Sequence, residues 1–119
     1  MNPEFTLTPP EVKIPNRSDE AIMRLWDYFI DRLGKHPRLY TFTDKRRKMA
    51  EKRFAESLLK TKGDYKKAEF MCECAIDALA DSDFHNARGK YAGGTKYNDW
   101  EIVFRSTEQF EKFLERSNG

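Results

Sequence analysis

Apolar residues recur along this chain at helical spacing. Ile22, Leu25, Trp26, Phe29, Ile30 and Leu33 fall three and four apart and predict a helix over 19–33. Ser18 stands as its N-cap, Asp19 and Glu20 occupy its first turn, and Gly34 closes it. A second helix is expected over 44–61, capped by Thr43, with Met49, Ala50, Phe54, Leu58 and, at the margin, Leu59 on its buried side. Gly63 breaks it and Asp64 starts a third over 65–81, with Tyr65, Ala68, Met71, Cys72, Ala75, Ile76 and Leu79 as apolar positions. Trp100 to Arg105 reads as a short helical turn or strand, and Ser106 with Gln109 fits a capping box before a last helix over 107–116.

Between the third helix and Trp100 lies SDFHNARGKYAGGTKYND, residues 82–99, which is long for a loop in a small domain. The pattern therefore predicts one mainly α domain over 18–117, of four to five helices, with a Gly-rich loop before the last ones. Its core gathers Trp26, Phe29, Phe54, Met71, Ile76, Leu79, Phe104, Phe110 and Phe113. Residues 1–17 hold Pro3, Pro9, Pro10 and Pro15 without periodicity and read as an extended linker, with the implication that another domain precedes them.

Charge changes the picture. Formal net charge is only +2, yet residues 35–62 hold ten Lys/Arg against three acids, and residues 63–86 hold two against six. Lys45, Lys48 and Lys52 follow one outer face of the second helix at i, i+3 and i+7, flanked by Arg46, Arg47 and Arg53. Such a concentrated positive field attracts polyanions, nucleic acid first. In the long loop Phe84, Tyr91 and Tyr97 alternate with His85, Arg88, Lys90 and Lys96, the mixture that stacking on unpaired bases with phosphate contact requires. Phe84 and Tyr97 are expected to tuck into the core and Tyr91 to stand out. The candidate nucleic-acid contacts are thus Lys45, Arg46, Lys48, Lys52, Arg53, His85, Arg88, Lys90, Tyr91 and Lys96. Five phosphate contacts on a single strand imply a log K against log salt slope of about −3.5.

Catalytic chemistry is not indicated. The chain has no Walker A loop, G-x-G-x-x-G, H-E-x-x-H, nucleophile elbow or zinc framework. The weakest reading is a metal-dependent nuclease built from His85 with Asp83 or Asp99. Glu69, Glu73 and Asp77 form an acidic stripe on the third helix, expected as a solvated face, with a metal site or a partner contact as alternatives. Cys72 and Cys74 point to different helix faces and read as free thiols of a reducing, cytoplasmic setting, and no cofactor is implied. No segment reaches the ~20 apolar residues of a membrane span.

With Thr41-Phe42-Thr43-Asp44-Lys45-Arg46-Arg47-Lys48 opening its second helix, the span from Trp26 to Phe113 resembles the C-terminal domain of phage and prophage DNA-replication proteins. Thr41-Phe42-Thr43-Asp44-Lys45-Arg46-Arg47-Lys48 is similar to the L-T-x-x-R-R-K helix start of that family. Ala75-Ile76-Asp77, Ser82-Asp83-Phe84-His85-Asn86, Tyr97-Asn98-Asp99, Ile102-Val103-Phe104-Arg105 and Gln109-Phe110-Glu111 follow in the family's order. The chain departs from the pattern in the longer stretch from Asn86 to Thr95. The resemblance implies a small helical domain joined by a linker to a winged-helix or helix-turn-helix part, with a role in replication initiation or helicase loading. Its partners would be DNA, single- or double-stranded, and a replicative helicase or its loader.

Overall fold

The computed structural model describes residues 16–118, and within them the fold is all-helical. Helix α1 spans Arg17–Leu33, α2 Asp44–Lys60, α3 Tyr65–Ala80, α4 Trp100–Phe104 and α5 Thr107–Asn118, with a single 3₁₀ turn at Gly89–Tyr91. The linker expected over 1–17 lies outside the described residues as far as residue 15. Its last two positions belong to the helix instead: Asn16, not Ser18, is the N-cap, its side chain accepting from Asp19 N at 2.8 Å. Asn caps as well as Ser, and the earlier start lets Arg17 lie 4.2 Å over the ring of Tyr65. The other caps fall where the sequence put them. Thr43, Asp64 and Ser106 accept from Arg46 N, Lys67 N and Gln109 N. Gly34 takes the left-handed conformation at φ 66°, which lets Lys35 N and Gly34 N close back on Ile30 O and Asp31 O.

Helix α3 is the central element, packing on α1, α2 and α5. Its buried positions are mostly small (Ala68, Cys72, Ala75, Ala78, Ala80), so three neighbours approach it closely, and Ile76 and Leu79 fill the remaining space. Met71 was expected in the core but is only half-buried, because the adjacent Cys72 occupies the inward position and is completely buried. Burial pushes the Cys72 thiol up to about 12, and both cysteines are free. Leu59, placed at the margin of the buried side of α2, is 82% exposed, since Ser57 and Leu58 complete the inward turn there.

Of the acidic stripe, Glu69 and Asp77 join a helix-to-helix seam, while half-buried Glu73 makes no ion pair among the described residues. Arg24 pairs with Glu69 through two contacts of 2.8 and 2.9 Å, and Arg32 Nε reaches Asp77 at 2.8 Å. Tyr28 OH donates to the same Asp77 at 2.5 Å, and partial burial together with this bond pushes its pKa up to about 12. These contacts run in register from Arg17 over Tyr65 to Arg32 beside Asp81, so α1 and α3 are parallel. Helix α2 runs antiparallel to both, with Arg47 near its start over Phe42 beside Trp26 and Phe54 further along against Tyr65 at the start of α3.

Large rings fill the end where α1 finishes and α2 begins. Trp26 stacks on Phe42 at 4.5 Å and meets Trp100 edge-on at 5.2 Å, Phe29 meets Trp100 at 5.3 Å, and Trp100 lies 4.2 Å from Phe104. Trp100 is fully buried, its Nε1 donates to Arg46 O at 2.9 Å, and its backbone N–H donates to Tyr40 OH at 2.8 Å. A five-residue helix has no independent stability, so α4 exists because this side chain is seated. Trp100→Ala should therefore cost about 3–5 kcal/mol in denaturant unfolding, whereas Leu59→Ala changes stability by less than about 0.5 kcal/mol.

Candidate nucleic-acid interface

On the outer side of α2, where Arg105 follows directly on α4, lies a depression of about 460 Å³. It is lined by Lys45, Lys48, Met49, Lys52, Arg53 and Arg105. Lys45, Lys48 and Lys52 are exposed, as the periodicity required, and so is Arg105, which follows directly on α4. Arg53 forms the floor and is only 7% exposed. Five cations thus line one concavity with no carboxylate among them.

The two arginines assigned to phosphate contact are held by the protein itself. Arg46 donates to Thr41 O at 2.7 Å and Glu101 at 3.0 Å, and its guanidinium lies 4.1 Å over the Tyr40 ring. It ties α2 to α4, so its guanidinium is already engaged within the protein. Arg53 donates to Phe104 O and Glu56 Oε2, both at 3.2 Å. Its Nε lies 3.1 Å from Glu56 Oε1 but is not aligned for a hydrogen bond, so this buried donor has no hydrogen-bond partner. Arg53 therefore serves structure first and presents only residual charge to the groove. Both engagements have one cause: a planar five-donor fork suits contacts between elements, while the heads of Lys45, Lys48 and Lys52 stay in water.

The loop candidates form a second surface and do not join the groove. His85 is half-buried, with Nδ1 2.7 Å from Ser82 Oγ and its ring against Phe113 at 5.3 Å. Burial, with Arg116 nearby, lowers its pKa. Arg88 donates to Ala80 O at 2.8 Å and pairs with Asp83 at 3.3 Å, so it caps α3 and shapes the loop. These two side chains are thus engaged within the loop and at the end of α3. Lys90, Tyr91 and Lys96 are exposed on the loop. Phe84 and Tyr97, expected in the core, are instead 49% and 47% exposed and stack on each other at 5.8 Å. His85 and Asn98, not they, take the inward positions of this segment.

The residues of the nuclease reading are not brought together. Asp83 is engaged by Arg88, Asp99 faces Lys35 at 3.5 Å, and His85 turns to Ser82. Among the described residues no group of three or more His, Cys, Asp or Glu converges on a cation-sized site, and no helix is long and apolar enough to cross a membrane. Arg105 is the groove residue that sequence reasoning missed. Its only signal was its position at the end of an apolar run, where a helix stops and a side chain emerges.

Comparison with protein-family models, with curated proteins and with solved structures finds no match to the chain.

Two outcomes follow. Arg53→Ala, which strips buried Phe104 O and Glu56 of a donor, should lower stability by about 1–3 kcal/mol in denaturant unfolding, while Lys48→Ala leaves the midpoint unchanged. His85 favours its neutral form in the fold, so its contribution is complete above the ordinary value of about 6.5 and is lost as pH falls below it. Melting temperature measured between pH 7 and pH 5 should fall less in His85→Asn than in the parent protein.

Proposed function

We propose that this chain is a non-enzymatic DNA-replication module of phage or prophage type, acting in the cytoplasm, that holds DNA phosphates in the groove between α2 and α4. The observation that carries the reading is the lining of that groove: Lys45, Lys48, Lys52, Arg53 and Arg105 with Met49 and no acid. A concave surface of one sign focuses the field more strongly than the same charges spread over a convex helix. Three lysines at i, i+3 and i+7 follow about two helical turns, long enough to meet successive phosphates of one strand. The ordered motifs from Thr41 to Glu111 support the replication setting by resemblance. Phosphate contacts of this kind position a strand without reading its sequence.

With Arg46 and Arg53 engaged inside the protein, four exposed cations remain for phosphates: Lys45, Lys48, Lys52 and Arg105. The expected slope of log K against log salt on single-stranded DNA is then about −2.8, measured by fluorescence anisotropy. Replacing Lys48 and Lys52 together by Ala should reduce that slope by about 1.4 and weaken binding without moving the melting temperature. A slope near zero in the parent protein contradicts the reading.

A second reading, docking of a replicative helicase or its loader, is favoured by Leu59. This leucine is 82% exposed and falls on the same stripe of α2 as Lys45, Lys48 and Lys52, where phosphate binding has no use for it. Nuclease-resistant association with a purified helicase, lost in Leu59→Ser while DNA affinity is retained, would establish this reading in place of the first.

A further inference from the structure

The long loop builds a second concavity with a different chemistry. Phe84, Lys90, Tyr91, Ala92, Gly93, Gly94, Thr95 and Tyr97 surround about 500 Å³ of open space. Phe84 and Tyr97 lie nearly parallel, with 18° between their planes, and Tyr91 stands edge-on to Phe84 at 85° and 5.2 Å. The three rings make a corner of flat apolar walls, each 38–49% exposed.

Exposed rings on a slack loop would be unremarkable, but this loop is fixed from beneath. Asn86 Nδ2 donates to Leu79 O and Ser82 O, both at 2.8 Å, which satisfies carbonyls at the end of α3. Asn98 donates to Asn86 Oδ1 at 2.7 Å and is itself held by Lys35 at 2.8 Å. Tyr97 N closes on His85 O at 2.7 Å. Gly89 sits at φ 59°, where a Cβ would press on Asp83 Oδ2 at 3.3 Å, so glycine eases the turn of the chain into the corner. Buried polar contacts thus hold three large rings toward solvent in one arrangement, and the ordering cost of a bound group is met before it arrives.

The charge at the corner is positive. Lys90 Nζ lies 5.3 Å over the Tyr91 ring, and Lys96 follows on the exposed side; among the described residues neither makes an ion pair, and no carboxylate lines the space. Flat apolar walls beside free ammonium groups suit a planar base whose own phosphate is adjacent. A duplex has its base faces covered by stacking, so the corner discriminates in favour of an unpaired strand. Tyr97 leads within three residues to Trp100 and so to α4, one wall of the phosphate groove.

We infer that the Phe84–Tyr91–Tyr97 corner is a stacking site for an unpaired base of single-stranded nucleic acid, an inference that rests on the phosphate-binding reading of the α2–α4 groove. The test compares two labelled probes of equal charge and length, oligothymidylate of about twelve nucleotides and its fully abasic counterpart, by anisotropy on the full chain at low salt. The oligothymidylate should bind about 5- to 100-fold more tightly. Phe84→Ala with Tyr91→Ala should reduce it to the abasic level at unchanged melting temperature, and Tyr91→Phe, which keeps the ring, should retain the preference. Equal affinity of the parent protein for both probes overturns the stacking site and leaves the phosphate groove standing. A preference that survives the double alanine variant places the base elsewhere and also overturns it. Binding of neither probe overturns the stacking site and the groove together.

Discussion

Seating of one indole organises the functional end of this molecule. Trp100 is enclosed by Trp26, Phe29, Phe42 and Phe104, and its two N–H groups go to Arg46 O and Tyr40 OH. The apolar enclosure supplies the burial energy, and the two hydrogen bonds fix register, because an indole N–H left without an acceptor in such a site would be strongly unfavourable. The five-residue helix that Trp100 begins then runs in a defined direction, Phe104 O meets the Arg53 guanidinium, and Arg105 emerges to line the depression with Lys45, Lys48 and Lys52. The groove is therefore a consequence of core packing, not of the surface residues that line it. Loss of the indole would unseat α4, and with it Arg105 and the Phe104 carbonyl that holds Arg53, with no charged residue changed.

The distribution of charge follows from the same geometry. Arginines take the contacts between elements: Arg24 and Arg32 tie α1 to α3, Arg46 ties α2 to α4, and Arg53 holds the end of α4. Lys45, Lys48 and Lys52 of α2 are left to solvent, while Lys60 pairs with Glu111 of α5. Glu69 and Asp77 of α3 are drawn into the α1 seam, and Glu101 and Glu56 are occupied by Arg46 and Arg53. A chain of nearly balanced composition thereby presents one concave face of a single sign. The field available to a polyanion is set by which carboxylates the fold consumes, and formal net charge says little about it.

Helix periodicity and capping made most of the fold legible from the sequence. The four longer helices could be placed to within a few residues, and Thr43, Asp64, Ser106 and Gly34 act as read, because these signals are local. Tertiary competition was not legible. Asn16 displaced Ser18 as the first cap because the longer helix brings Arg17 over Tyr65. Cys72 takes the fully buried position of its turn and Met71 is left half-buried beside it. For the site, spacing alone identified Lys45, Lys48 and Lys52 on one outer face. It could not foresee that Arg46 and Arg53, on the same helix, meet carbonyls and carboxylates more than fifty residues away. Nor could it foresee that His85 and Asn98 would take the inward positions of the loop and leave Phe84 and Tyr97 outside, since that choice depends on which carbonyls at the end of α3 need donors.

The central claim, that a nucleic-acid strand lies in the groove built by α2 and the Trp100-seated α4, is tested most directly by an amide NMR titration of the ¹⁵N-labelled protein with oligothymidylate at low salt. The account predicts shifts that grow with ligand at Lys45, Lys48, Lys52 and Arg105 and extend into residues 90–97, while the α1–α3 seam around Arg24 and Glu69 stays unperturbed. Shifts confined to that seam, or a spectrum that does not change, would contradict it.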